Sequence, residues 1–337
     1  MKNMLGKVIK TLILVLLIVS FIASVAVGIF VWRYPQIAID IISRLKVEEV
    51  EVENITVKGI VVIGDSQSDE YRADDGRGGE FSQNTFNWVE QLAKFRNVNF
   101  GEWDTYDEPR RTGYAYNFAR TGATIHSMLE SGQDTGVVNL VKKGEVNVVV
   151  IYIGANDFSP YITQDGYQQI YDGSLTDKQI LRKSNSIVAG IVTAIEQIEK
   201  AGDTKIILVL LPDWGNHMGI QIAFPLPSQR SKVTFVINSI NEKLKVIALE
   251  KGIPTVDPNE LYLQFRNNGL GIGSITMEHY IFNNNPKSIF LDDAIHMGTV
   301  MNGLFANKII ETLNGSYGAN IAKFSNDEIL EIANIRE

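Results

Sequence analysis

Lys58-Gly59-Ile60-Val61-Val62-Ile63-Gly64-Asp65-Ser66 is the stretch on which the reading of this chain turns. An unbroken β-branched apolar run, without the alternation of a half-buried strand, fits a parallel strand covered on both faces. It stops at Gly64-Asp65-Ser66, which sets Ser66 at the carboxyl edge of a sheet, where open α/β folds place their ligands. These residues alone leave two readings open. Ser66 either caps a following helix or serves as a nucleophile.

Working outward, Asn147 to Ile153 reads as a second buried strand ending at Gly154, and Lys205 to Leu211 as a third stopped by Pro212. Ser186 to Lys200 carries a helical stripe of Ile187, Val188, Ile191, Val192, Ile195 and Ile198. Val233 to Lys251 is a helix closed by Gly252, Ile253 to Val256 a short strand, and Met297 to Leu313 a further helix. Ser325 and Glu328 form a capping box for a last short helix. Strands alternating with helices argue for βαβ units and a parallel sheet.

Two stretches break this rhythm. Residues 67–116 hold Trp88, Phe95, Phe100, Trp103, Tyr106, Tyr114 and Tyr116 among acids and glycines, and residues 258–290 are rich in Asn and Gly. Long irregular segments of this kind read as functional loops or insertions. The aromatics of the first have two readings, a platform for sugar rings or the segment's own core.

At the N-terminus, residues 1–10 form a basic tail, and Thr11 to Trp32 contain no charge. An apolar helix of about 20 residues spans a bilayer core of about 30 Å. A cleaved signal peptide is the rival, with Lys2, Lys7 and Lys10 as its basic region and Ser24-Val25-Ala26 as its cleavage site. Apolar sequence continuing through Trp32 favours an uncleaved anchor; cleavage would leave a secreted protein. Arg33, Arg44 and Lys46 follow the span, so the basic residues on its two sides nearly balance. Lys7 and Lys10 lie closest to it, which places the expected domain outside the cytoplasm. Residues 33–57 read as a linker or stalk, 58–315 as the main domain, and 316–337 as a helical tail.

The net charge is −8. Leaving out the basic N-terminal region makes the remainder more acidic still, which disfavours nucleic acid as a partner, since that binding rests on Lys and Arg neutralising phosphates. The chain has no cysteine, which excludes disulfides, thiolate metal sites and a cysteine nucleophile. Nothing calls for a cofactor or a metal, and the oligomeric state stays open.

Three further islands carry chemistry: Asn117-Phe118-Ala119-Arg120-Thr121-Gly122-Ala123, Gly154-Ala155-Asn156-Asp157, and Asp293-Ala294-Ile295-His296. Singly, each has a bland reading as a turn, a strand exit or a helix start. Together with Ser66 they supply every part of an acyl-transfer site. Ser66 is the candidate nucleophile, His296 its general base, and Asp293 the group that orients the imidazole and stabilises its charged form. The backbone N–H groups of Ser66 and Gly122 and the side-chain amide of Asn156 are candidate oxyanion donors.

These four islands, in this order, resemble the SGNH/GDSL hydrolase family, whose Ser, Gly, Asn and His match Ser66, Gly122, Asn156 and His296. The resemblance covers roughly residues 58–312. It implies a flavodoxin-like three-layer α/β/α fold with about five parallel strands, and hydrolysis through an acyl-serine intermediate. No Gly-x-Ser-x-Gly elbow is present, so the α/β-hydrolase pattern does not apply. Three departures stand out. Gln67 replaces the leucine often found after the family's serine, the 67–116 segment is longer than a minimal member needs, and Met297-Gly298-Thr299 replaces the frequent His-Pro pair.

The chain has four histidines, so rival bases can be weighed one by one. His126 reads as a helix-surface residue. His217, after Leu211-Pro212-Asp213-Trp214, is the best rival base and a candidate substrate contact. Asp65, Asp157 and His279 are further candidate substrate contacts, His279 as a residue of the irregular 258–290 loop that would line the cleft. Asp292 rivals Asp293, and spacing alone separates them. Asp69 is expected to act as a charge at a helix N-terminus. The expected function is a membrane-anchored extracytoplasmic serine ester hydrolase acting on glycan acetyl esters or on small or lipid acyl esters. The competing readings are an acyltransferase on the same fold and a non-catalytic surface module that binds carbohydrate.

Overall fold

The computed structural model describes residues 54–73, 76–161, 168–278 and 282–336. The apolar segment 11–32, most of the stalk and His279 lie outside the described residues. No helix among the described residues is long and apolar enough to cross a membrane.

In chain order the first elements are β1 (Ile60–Gly64), α1 (Trp88–Arg96), β2 (Trp103–Thr105), β3 (Thr112–Tyr114), α2 (Ile125–Glu130) and α3 (Gln133–Lys143). Next come β4 (Val148–Tyr152), α4 (Gln168–Asp172), α5 (Asp177–Ala201), β5 (Lys205–Val209), α6 (Met218–Ala223) and α7 (Pro227–Lys251). The chain finishes with β6 (Thr255–Val256), α8 (Asn259–Asn268), β7 (Gly271–Ile272), β8 (Ile275–Thr276), α9 (Thr299–Tyr317) and α10 (Asn326–Ile332).

The main sheet runs β1-β4-β5-β6, all parallel. Every residue of β1 and β4 is buried, as the unbroken apolar runs require. Alternate residues feed two cores. Ile60, Val62, Val148 and Val150 pack with α1, α9 and α10 on one face. Val61, Ile63, Val149 and Ile151 pack with α2, α3, α5 and α7 on the other. Each such side chain contributes about 1.5–3 kcal/mol through burial, and the three expected layers result.

The sheet has four regular strands rather than about five. A fifth position beside β1 is filled by residues 116–120, through Val62 N–H to Tyr116 O (3.0 Å), Phe118 N–H to Val62 O (2.9 Å) and Arg120 N–H to Gly64 O (3.1 Å). This segment is not a regular strand because Asn117 turns locally. Its N–H donates to Tyr114 O and its side-chain oxygen accepts from Ala119 N–H.

The helices of the sequence pattern are present, with earlier starts where caps allow. α5 begins after Thr176 in a capping box with Gln179, and α7 begins at Pro227, a residue suited to a helix's first turn. α10 has the Ser325–Glu328 box. Residues 67–116 are only partly irregular: α1 lies within them and packs on the sheet, with Trp88 and Phe100 essentially inaccessible. The core reading of these aromatics therefore holds for those two, while Trp103 stays 39% exposed. Ile55 and Val57 pack on the core as well, and the Ile55 N–H donates to Tyr317 O (3.0 Å).

Candidate active site

The turn after β1 carries Ser66, and no helix follows it directly; the next α-helix starts at Trp88, capped by Asn87. The helix-cap reading of Ser66 therefore falls away. Gly64 leaves room at the strand exit, where a Cβ would lie a tight 3.0 Å from Tyr152 O and 3.1 Å from Ser68 Cβ. Beyond it the chain folds back through Ser68 N–H and Asp69 N–H, both donating to Asp65 O.

Side chains of neighbouring elements strap this turn. Asn117 Nδ2 donates to Ser68 O (2.8 Å), Trp88 Nε1 to Ser68 Oγ (3.1 Å), and Asn87 Nδ2 to Asp69 O (2.7 Å). Glu90, the other half of the α1 capping box, also accepts from the Tyr71 N–H (3.2 Å) and from Arg72 Nε (3.0 Å). One helix cap thus holds the loop that follows the serine.

Asp69 does not serve a helix N-terminus. Its carboxylate accepts the Thr121 N–H (2.8 Å), tying the serine turn to the Gly122 turn. Gly122 has a φ of 78°, a left-handed conformation that glycine adopts without steric cost. Asn156 Nδ2 donates to Ala123 O (3.0 Å), and Asp157 accepts the Ile125 N–H (2.9 Å) at the start of α2. The Gly122 and Asn156 islands are therefore one unit beside Ser66. Among the described residues, the Ser66 and Gly122 N–H groups have no protein acceptor.

The His296 loop comes in from the far end of the chain. Gln67 Nε2 donates to Ile295 O (3.5 Å) and the Tyr71 hydroxyl to Met297 O (3.1 Å), so residues flanking Ser66 and His296 are in contact. His296 Nδ1 hydrogen-bonds Asp293 Oδ2, and the other Asp293 oxygen accepts the backbone N–H groups of His296 (2.9 Å) and Ile295 (2.8 Å). Burial would raise the Asp293 carboxyl, but these bonds and the charge of His296 hold it well below the usual carboxylate range. Asp292 points elsewhere, to Asn284 Nδ2 (2.9 Å). Geometry thus separates the two acids that spacing alone had to choose between.

An arginine that the sequence reading missed completes this cluster. Arg77 Nη1 lies 3.0 Å from Asp293 Oδ2 and 2.9 Å from His296 Nδ1. The two contacts to Nδ1 demand opposite protonation. A protonated Nδ1 donates to Asp293, and only a bare Nδ1 accepts from Arg77. Arg77 sits in an aperiodic part of the 67–116 segment and has no sequence signal of its own.

Other candidates sort by environment. Asp65 is fully buried; burial lifts its carboxyl from the ordinary 3.8 to about 7, opposed by the Gln67 N–H and reinforced by the carboxylates of Asp157 and Asp69. His217 is buried against Trp214, Phe290 and Tyr262. Burial first, then the charge of His296, depresses it to about 3 against the pull of Asp293. Enclosed by these rings, His217 contributes to the wall of a neighbouring cavity. His126 lies exposed on α2, 3.7 Å from Glu130. Among the described residues no acid or histidine cluster could hold a metal.

Residues 60–309 match the model of the GDSL-like lipase/acylhydrolase family. The chain belongs to that family. A solved lipolytic protein of the G-D-S-L family from Veillonella parvula is 20% identical, over 76% of this chain and 98% of that one, with a TM-score of 0.43. An acetyl xylan esterase from Geobacillus stearothermophilus is 15% identical, over 81% and 99%, with a TM-score of 0.45. No curated protein matches the chain.

Proposed function

We propose that this GDSL-family chain is a serine ester hydrolase in which Ser66 is the nucleophile, His296 the general base and Asp293 its orienting acid. The observation that carries the reading is the Asp293–His296 pair on a loop docked against the serine turn. Ser66 Oγ attacks the ester carbonyl carbon and its proton passes to His296. Negative charge gathers on the carbonyl oxygen, facing the N–H groups of Ser66 and Gly122 and the Asn156 amide. The C–O bond to the alcohol breaks as His296 returns the proton to the leaving oxygen, leaving an acyl-serine. Water, deprotonated by His296, then releases the acid and restores Ser66.

The substrates proposed are acetyl esters of a glycan or other short acyl esters. The 11–32 segment is proposed as an anchor holding the domain outside the cytoplasm, which protease accessibility in intact cells would check. Fluorophosphonate labelling of the full-length protein, alongside hydrolysis of p-nitrophenyl acetate, tests the chemistry. The label is expected on Ser66, and Ser66→Ala is expected to lose at least about 10⁴-fold in kcat. Undiminished turnover by Ser66→Ala would overturn the proposal.

A further inference from the structure

Beside the candidate triad lies a cavity of about 380 Å³ between the exits of β5 and β6, which the catalytic steps above do not use. Its volume is at the small end of the range for small-molecule sites, roughly 300–1,000 Å³. His217, Met218, Tyr262, Leu263, Ile289 and Phe290 form its apolar wall. We propose that this cavity receives the alcohol portion of the ester, and that this portion is an uncharged ring. The inference rests on the serine-hydrolase reading and adds to it the class of leaving group.

Position argues for the alcohol side. The sheet order β1-β4-β5-β6 lays the site along one edge: the Gly122 segment flanks β1, Asn156 follows β4, His217 follows β5 and Tyr262 follows β6. The carbonyl oxygen faces the Gly122 and Asn156 end. The leaving oxygen must face His296, which protonates it. The cavity is built onto the His296 loop. Phe290 bridges to Met297, and the start of α6 packs so closely that a Cβ on Gly219 would lie 2.7 Å from Ala294 O.

Charge argues for a neutral ligand. No lysine or arginine lines the cavity. Its one acid, Asp213, is already engaged: Oδ1 accepts from Thr234 Oγ1 (2.8 Å) and Oδ2 from Asn216 Nδ2 (2.6 Å). His217 stays uncharged, because a proton on its buried, unpartnered Nδ1 would be stranded. Shape argues for a ring. The Tyr262 and Phe290 rings stack on each other, 5.9 Å apart at an interplanar angle of 20°, giving the cavity a flat aromatic side, while Asn238 and the side-chain oxygens of Asn216 and Gln221 supply polar groups around it. An aryl alcohol and a neutral sugar share this chemistry.

The test measures kcat and KM of the full-length protein on ethyl acetate, benzyl acetate and methyl 6-O-acetylglucoside, whose leaving groups are all primary alcohols. Wild type is expected to favour at least one ring ester over ethyl acetate by about tenfold in kcat/KM. The two ring substrates distinguish the aryl from the sugar source. Tyr262→Ala is expected to lower kcat/KM on the ring esters, through KM, by about tenfold more than on ethyl acetate. Leu263→Lys, at an exposed position, is expected to do the same should Tyr262→Ala fail to fold. Equal loss on all three esters would overturn the inference, as would a loss seen on ethyl octanoate but not on the ring acetates, which would make the cavity an acyl site. Either result leaves the Ser66 reading standing. Turnover unaffected by Ser66→Ala would remove both.

Discussion

Replacing Arg77 with alanine is expected to move the acid limb of the kcat/KM profile to higher pH while sparing the plateau. The guanidinium lies about hydrogen-bond distance from both Asp293 and His296. A cation there disfavours the imidazolium and also cancels part of the Asp293 charge that would stabilise it. Both effects favour the neutral form of His296, the form the proposed mechanism needs for accepting the Ser66 proton. Two unit charges about 4 Å apart interact with roughly 4 kcal/mol at an effective dielectric constant of about 20. The Arg77 side chain is 15% exposed and that of Asp293 33%, so solvent and salt reduce this. A residual of roughly 1–2 kcal/mol is about tenfold in a protonation equilibrium, or about one pH unit. With Arg77 gone, His296 holds its proton to higher pH, so the acid limb shifts upward by about that amount. Quenched initial rates on ethyl acetate from pH 5 to 9 read it directly. Activity one unit below the wild-type midpoint should fall several-fold to tenfold, the plateau should stay within about threefold, and Arg77→Lys should lie between. A uniform loss at every pH would mean Arg77 only props the loop, and a limb that stays put or moves down would refute the electrostatic argument.

Three further outcomes follow from the packing around the site. Asp65 has its folded-state pKa raised from 3.8 to about 7 by burial, so its contribution to stability is lost as pH rises through that window. Asp65→Asn should therefore gain stability relative to wild type between about pH 4 and 8, by up to roughly 4 kcal/mol, as denaturant titrations would reveal; a constant difference across pH would refute this. In Gly219→Ala the new methyl would meet Ala294 O at 2.7 Å and Ile295 Cδ1 at 2.6 Å. It should displace the His296 loop and lower kcat about tenfold or more, with a stability loss of about 1–3 kcal/mol from overpacking, read by initial rates on ethyl acetate and by calorimetry. Arg110 pairs with the fully buried Glu70 at 2.9 Å. Arg110→Ala should cost about 3–5 kcal/mol by stranding that carboxylate, and adding Glu70→Gln should recover part of it.

Much of this protein was legible in its residues because the relevant signals are local. An apolar run such as Ile60-Val61-Val62-Ile63 has one good solution in water, a strand buried on both faces, and the break after it sets Ser66 on the sheet's edge. Caps such as Ser325 with Glu328 announce a helix for the same reason. The aperiodic part of residues 67–116 carried no such signal, and both Arg77 and the linking role of Asp69 lie there. The sequence had to leave Trp88 and Phe100 between platform and core, since aromatic content does not say which way a ring faces.

The sequence by itself determined that a serine, a Gly122 turn, an Asn156 exit and an Asp293–His296 pair stand at the ends of regular elements. Only the tertiary structure decided which of them meet: Asp293 rather than Asp292 on His296, Asp69 on the Gly122 turn, Arg77 on the acid–base pair, and an aromatic cavity behind His217. The physical reason is range. Strand and helix patterns arise from neighbours a few residues apart. The contact between Gln67 and Ile295 joins residues 228 positions apart, and it forms only when the sheet and its two covering layers fix the intervening path.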